Sequence, residues 1–374
     1  ASMRDELHEI PELGFEEFKT SDYVADKLQK LGIEFVRGVG GTGVLGIIRG
    51  AEPGPVMLLR ADMDALPFKN ADGSIERVHA CGHDGHTAML LAAASRLVGK
   101  IRRGTLKLLF QPGEETLKGA LAVIDSGVID DVDIALGLHV RPVQDIPAGT
   151  CCASVRHVSS IFVKAHFKGL TAHASRPHLG VNVAEVAALF TNAVCAMKLN
   201  PNLAWSCKVT GIDAMSSAPN IIPDKAVVMI DARAQTNALM DEMLAKLEAA
   251  AKGVAATFGA EGSIEVMGKV IPASEYDESL VAEVRESIRD VLGEDKLVAD
   301  CATGGEDFHF YKKYKPSIQA AYFGVGAGVS RALAYDYVGD GIAHSNCHVR
   351  KFGHGANVVI AELDECGRLF VRHC

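Results

Sequence analysis

Hydrophobic and polar positions follow two rhythms along this chain. Across residues 15–31, Phe15, Phe18, Tyr23, Val24, Leu28 and Leu31 recur at roughly helical spacing. Short strand-like apolar runs follow at 44–48, 56–59, 106–110 and 134–138. Between them, 85–98 reads as a buried, Ala-rich helix and 118–125 as a short one. Strands alternating with helices predict an α/β domain with a mostly parallel central sheet flanked by helices. The rhythm changes near residue 157. Residues 158–167 alternate like a strand, 182–199 form a long helical stretch, and 204–210 and 226–232 read as strands. A second long helix at 238–258 and a strand at 263–270 complete the series. This order, strand–helix–strand–strand–helix–strand, predicts an α+β sandwich of about 110 residues. From Asp277 the first rhythm returns. The simplest account is one domain inserted in another: 1–156 and 271–374 outside, 157–270 as the insert, with hinges near 155–158 and 270–274.

Composition supports two cores, since 374 residues with 48% hydrophobic content exceed one ordinary core. A net charge of −9 argues against nucleic acid as a partner. No apolar run approaches the roughly 18–20 residues of a membrane span, and Ala1 to Glu6 lack the apolar stretch of a signal peptide. Nine cysteines, an odd count without repeating spacing, lead to an expectation of reduced thiols and a cytoplasmic setting. Gly38-Val39-Gly40-Gly41-Thr42-Gly43 fits a dinucleotide fingerprint, with Asp62 suitably downstream. However, the strand-like 44–48 follows directly, and Gly50, Pro53, Gly54 and Pro55 stop any helix, so a β-turn is expected there.

The candidate chemistry centres on Phe110-Gln111-Pro112-Gly113-Glu114-Glu115. Adjacent carboxylates repel, and an apolar strand end rarely carries two without a cation. One glutamate can bind a metal while the other moves protons; the plainer alternative is a helix N-terminus that favours acids. Upstream, His79-Ala80-Cys81-Gly82-His83-Asp84-Gly85-His86 supplies a thiol and imidazoles suited to zinc, and also to manganese or cobalt. Asp64, after the apolar strand that ends in Arg60-Ala61-Asp62, would orient a metal-bound histidine, unless it only shapes the turn before Pro67. His139 ends another apolar run, and His344 lies in a Gly-rich approach near the C-terminus. With them, Cys81, His83, Glu115, His139 and His344 make five ligand-type groups, enough for two metals sharing a bridge. His348 competes with His344 on spacing. In the insert, His173 sits among small residues that let a substrate approach, placed to donate to a developing oxyanion. Asn220 adds an amide donor. Arg233 suits a substrate carboxylate, or else pairs with Asp231.

Taken together, these motifs resemble the aminoacylase/carboxypeptidase family of dinuclear metallohydrolases, closest to its amidohydrolase branch. The resemblance runs from Leu7-His8-Glu9-Ile10-Pro11-Glu12-Leu13-Gly14-Phe15-Glu16-Glu17, through Ala80-Cys81-Gly82-His83-Asp84, Gln111-Pro112-Gly113-Glu114-Glu115 and Gly137-Leu138-His139, to Gly304-Gly305-Glu306-Asp307-Phe308. It implies two divalent ions per subunit, zinc or manganese with cobalt or nickel as further options. Cys81 would be the bridging ligand and His83, Glu115, His139 and His344 the others. It implies that Glu114 is the general base and acid, that Asp64 supports catalysis, and that His173 reaches the partner subunit's site. Asn220 and Arg233 match substrate-contacting positions, and the insert would be both lid and dimerisation domain of a homodimer. The implied substrate is an N-acyl amino acid of the acetyl, benzoyl or aminobenzoyl type. A dipeptidase or carboxypeptidase of the same family is the alternative, as is a binding protein that kept the ligands and lost turnover. His309 stands where a serine is more usual, and the stretch with Cys347 and His348 is rich in His and Cys, both of which bear on the acyl pocket and metal preference.

Overall fold

The computed structural model describes residues 2–70 and 72–327, and the backbone of two further strands, Val359–Leu363 and Leu369–His373. The chain divides into two compact units, Ala1–Arg156 with Glu275–Cys374, and His157–Ser274. The second unit therefore extends to Ser274 rather than residue 270.

The first unit is built on an eight-stranded sheet. Its spatial order is Glu34–Val39, Gly43–Arg49, Arg103–Gln111, Glu52–Asp62, Ile134–Arg141, Gln319–Gly326, Cys151–Cys152 and Leu297–Val298. The central strands, from Arg103–Gln111 to Gln319–Gly326, run parallel, while Glu34–Val39 and Gly43–Arg49 close one edge as an antiparallel pair. The Gly-rich segment between those two is the expected turn, with Gly38, Gly40 and Gly41 all at positive φ. Helices Phe18–Lys30 and His83–Leu97 contribute Val24, Leu28, Leu90, Leu91, Ala94 and Leu97 to the core over this sheet. The first of these helices begins at Phe18 rather than at residue 15. Phe15 has φ +67°, which no helix accommodates, and Glu12 instead receives the free amides of Lys19 and Thr20 at 3.1 and 2.9 Å.

The second unit pairs a four-stranded antiparallel sheet with two helices. Its strand order is Trp205–Asp213, Lys225–Ala234, Ser159–Lys168 and Glu261–Ile271. Period-two alternation puts Ile161, Val163, Ala165 and Phe167 of one strand, and Ala226, Val228, Ile230 and Ala232 of its neighbour, on a single buried face. Helices Val183–Cys195 and Asn237–Thr257 cover that face through Val186, Phe190, Met243 and Leu247. Each helix is capped by its sequence, Asn182 accepting from Ala184 N at 3.1 Å and Thr236 from Leu239 N at 3.2 Å. The ends of the unit meet: His157 N donates to Ser274 Oγ at 3.1 Å, and Ser274 N returns a bond to His157 O at 3.0 Å. A fragment of residues 157–274 should therefore fold alone and unfold in one cooperative transition, followed by circular dichroism in urea. A broad, non-cooperative loss of signal would mean that its core depends on the rest of the chain.

Candidate metal centre and catalytic carboxylates

Strands of the parallel sheet deliver their C-terminal ends to one place, as open α/β sheets do for their ligands. The Glu52–Asp62 strand brings Arg60 and Asp62, with Asp64 just beyond. The Arg103–Gln111 strand leads to Glu114 and Glu115, and Ile134–Arg141 carries His139. The fourth contribution is the helix His83–Leu97. Its N-cap, Gly82, has φ +94°, a left-handed turn that glycine makes without cost. That turn leaves Cys81 before the helix and His83 as its first residue.

The expected donors that are described converge. Cys81 Sγ lies 3.6 Å from His139 Nε2, and the donor atoms of Cys81, His83 and His139 lie within 4.8 Å of one another. His83 Nε2 is 3.8 Å from a carboxylate oxygen of Glu114 and 3.8 Å from one of Glu115. Asp64 braces both sides: Oδ1 lies 3.1 Å from His83 Nδ1, and Oδ2 accepts Glu115 N at 2.9 Å. His139 Nδ1 donates to Val140 O at 2.6 Å, which leaves its Nε2 with a lone pair toward Cys81. His344, and with it Cys347 and His348, lies outside the described residues.

His86 is a different case from its neighbours in sequence. Val140 N donates to His86 Nε2 at 2.9 Å, so the proton sits on Nδ1, which donates to Asp62 Oδ1 at 2.5 Å. Both nitrogens are used, and His86 ties the Asp62 strand end to the His139 strand. His79 is buried, with neither nitrogen hydrogen-bonded among the described residues, and burial lowers its pKa to about 4. His309 is buried too, its ring 5.6 Å from that of Tyr276 and 6.0 Å from that of Tyr322.

A metal ion fits this donor set. Buried polar atoms are normally paired, yet His83 Nε2 and Glu115 Oε1 are buried with no hydrogen-bond partner among the described residues. The charge balance agrees. Burial pushes Glu114 well above the usual carboxylate range, with Glu306 and Glu115 adding to it. Burial and Asp64 raise Glu115 to about 7 against the opposing pull of His83. Burial, then Glu115 and Glu114, hold the Cys81 thiol high. Burial alone would depress His83, but Asp62 and Asp64 outweigh it and lift it to about 10. These are the shifts expected where buried negative charge exceeds positive charge, and a divalent cation relieves them all.

A second buried network adjoins the donors, and its central cation was not anticipated from the sequence. Arg60 Nη1 donates to Asp62 at 2.6 Å, Nη2 to Asp307 at 2.7 Å and to Glu306 at 3.0 Å, and Nε to Gln111 Oε1 at 2.8 Å. Asp307 also accepts from the Gln111 amide and from Ala120 N, and Tyr322 Oη donates to Glu306 at 2.6 Å. Carboxylate oxygens of Glu306, Asp307 and Glu114 lie within 4.8 Å of one another. The one sequence signal was Arg60 within an otherwise apolar strand, where a charge must be paired to stay.

In the second unit, residues Ala172–His173 pair antiparallel with Ile221–Ile222. That pairing sets Asn220 Nδ2 3.3 Å from His173 Nε2. Ser175 N donates to His173 Nδ1 at 3.2 Å, which puts the ring proton on Nε2, so the Asn220 amide pairs with it only when its oxygen, not its nitrogen, faces the ring. Both side chains are exposed. Arg233 adopts the paired alternative, its Nε 3.1 Å from Asp231 Oδ1 and its Nη2 3.2 Å from Oδ2.

The model of peptidase family M20/M25/M40 matches residues 58–341, most of the chain. The chain belongs to this family. It is 33% identical to an N-acetyl-L-cysteine deacetylase of Bacillus subtilis over 338 residues, 86% of this chain and 79% of that protein. It is 31% identical to thermostable carboxypeptidase 1 of Saccharolobus solfataricus over 344 residues, 87% of this chain and 84% of the relative. Among solved structures it is similar to the Bacillus subtilis YXEP protein, a dinuclear metal binding peptidase from the M20 family. The TM-score is 0.74 at 27% identity, covering 90% of this chain and 89% of the other. As an M20 family member the chain is a hydrolase acting on amide bonds. Its mixed α/β fold with a mostly parallel sheet is that of the family's catalytic domain. Among the described residues no helix is long and apolar enough to cross a membrane.

Proposed function

We propose that this chain is an N-acyl-amino-acid amidohydrolase that cleaves acetyl, benzoyl or aminobenzoyl amides of amino acids to a carboxylic acid and a free amino acid. The observation that carries this reading is the division of labour at Glu114 and Glu115. Glu115 has a buried oxygen beside His83 with no partner among the described residues. Glu114 is pressed among Glu306, Asp307 and Glu115, which favours a carboxyl that takes up a proton readily. Cys81, His83, Glu115 and His139, with His344 as a fifth ligand, would hold two divalent ions, zinc or manganese. Bound there, such ions polarise an acyl carbonyl and acidify water.

The residues of the chain do the rest. Glu114 accepts the proton of the attacking water and returns it to the departing amine. Asp64 fixes the His83 ring and the Glu115 backbone together. The insert is the lid and dimerisation domain of a homodimer. From it, His173 of the partner subunit donates its Nε2–H to the carbonyl oxygen as that atom gains charge. Asn220 and Arg233 hold the substrate's polar groups, Arg233 exchanging part of its bond to Asp231 for a carboxylate. The deacetylase relative is consistent with this substrate class. The carboxypeptidase relative keeps a second reading in view, a peptidase acting on short peptides.

The test is release of free amine from a panel of N-acetyl, N-benzoyl and N-aminobenzoyl amino acids and dipeptides, under reducing conditions with manganese or zinc added. Turnover of acyl amino acids, with dipeptides inert, is the expected result. Turnover of dipeptides alone would shift the assignment to a peptidase. Metal binding without turnover of any compound would point to a binding protein.

A further inference from the structure

Residues 13–17 lie against the turn that carries Glu114 and Glu115, in a conformation that local sequence does not favour. Phe15 sits at φ +67°, a region that bulky L-residues avoid. Strain of this kind persists only where the surroundings impose it, and it clusters at functional sites. Here the imposing contacts can be named. Leu13 bridges in parallel to Ala65, whose N–H donates to Glu12 O at 2.7 Å, so the segment is fastened beside Asp64. A Cβ on Gly14 would lie 2.7 Å from Thr116 Cγ2 and 3.0 Å from Gly113 Cα. The Phe15 ring occupies the space beside Gly113, where a Cβ would come within 2.8 Å of Cε2 and 2.9 Å of Cζ. Glu17 is buried. Its Oε1 accepts Gly113 N at 2.8 Å, and its Oε2 accepts the Thr42 hydroxyl. The turn itself departs from ordinary backbone at both ends, with Gly113 at φ +62° and Leu117 at φ +57°.

We propose that the 14–17 segment is a positioning element for the two glutamates: Phe15 and Glu17 clamp Gly113 in its left-handed conformation and so set where Glu114 and Glu115 point. Two side chains then hold the turn by its amides, Glu17 at Gly113 and Asp64 at Glu115. Neither Phe15 nor Glu17 is a donor to the metal or a proton carrier. Their effect passes through the backbone of the turn. The catalytic part of this inference rests on the role given above to Glu114, whereas the clamp concerns the turn alone.

The experiment compares Glu17→Ala, Glu17→Gln and Phe15→Ala in the full chain, with three readouts. These are hydrogen exchange of peptides spanning 111–119, manganese retained per chain after dialysis, and kcat and KM for amide hydrolysis. Glu17→Ala should speed exchange across 111–119, weaken manganese retention and lower kcat roughly 100-fold with KM little changed, the size of loss that a misplaced catalytic group produces. Glu17→Gln keeps a carbonyl oxygen for Gly113 N–H and should restore protection, retention and most of kcat. If Glu17→Ala does not fold, Phe15→Ala, which leaves Glu17 in place, must show the same local loss of protection. Wild-type exchange at 111–119 in the folded variants overturns the proposal. A Glu17→Gln variant as impaired as Glu17→Ala also overturns it, because charge rather than the clamp would then be the cause. Should the wild-type chain hydrolyse no N-acyl amino acid, the functional reading fails, while exchange and manganese retention still decide the clamp.

Discussion

Replacing Glu114 with glutamine is expected to lower kcat for amide hydrolysis by about 10²–10⁴-fold, the usual contribution of a positioned acid–base group. The change is nearly isosteric, so the turn Glu114–Thr116 keeps its shape. What disappears is the ability to take a proton and give it back. Because Glu115, Cys81, His83 and His139 are untouched, bound metal should stay at the wild-type level and KM should move little. Steady-state kinetics and metal analysis on the same preparation check both halves. A kcat loss of less than about tenfold would remove Glu114 from the proton-transfer role, and a loss of metal would make it a ligand instead. Burial, with Glu306 and Glu115, already disfavours an anion at this position, so a neutral glutamine suits it. The variant should therefore be at least as stable as wild type, which separates lost chemistry from lost folding.

The second large effect is on stability. Arg60→Met should destabilise the first unit by about 3–5 kcal/mol, the cost of removing one partner from a buried ion pair. Arg60 is buried, and its guanidinium is the cation bonded to Asp62, Glu306 and Asp307. Methionine fills much of the same volume, so the loss reports unpaired carboxylates rather than a cavity. Lysine should recover only part of it, since one ammonium cannot reproduce the fork that reaches Asp62, Gln111, Asp307 and Glu306 together. Urea unfolding of the metal-free protein measures the difference, and a change below about 1 kcal/mol would show that the network does not carry the stability assigned to it. The same variant should disturb Glu114, whose carboxylate shares close quarters with Glu306 and Asp307.

Much of the site was legible in the sequence because its chemistry is concentrated in short segments. Cys81, Gly82 and His83 are adjacent in the chain, and the left-handed glycine between the two donors is a local requirement. Glu114 and Glu115 announce themselves by mutual repulsion. The helices at Val183–Cys195 and Asn237–Thr257 were legible from periodicity, while their caps at Asn182 and Thr236 came from the structure. Other features were not legible, for identifiable reasons. Periodicity extended the first helix back to residue 15, because Phe15 has the right spacing. The contact that pulls it away, with Gly113, is made by a distant part of the chain. The sequence marks His83 as the ligand and gives the neighbouring His86 no role. The structure gives His86 a structural one, with Val140 N–H occupying its Nε2. Arg233 offered a free cation or a salt bridge, and in the structure it is paired with Asp231 of the same strand.

By itself the sequence determined the alternation of strands and helices, the switch to a second rhythm near residue 157, the donor types and the family. Each of these depends on neighbours along the chain: a side-chain period, a cap, a glycine that must take positive φ, an ordered series of motifs. The tertiary structure alone decided which donors meet, which histidine is spent on hydrogen bonds, and how Arg60 is neutralised by acids that lie 246 and 247 residues later. It also decided that a strained Phe15 braces the turn of the two glutamates. Burial and pairing set these outcomes, because the energy of a charge or an amide depends on what surrounds it in space, and that is fixed only when remote segments pack.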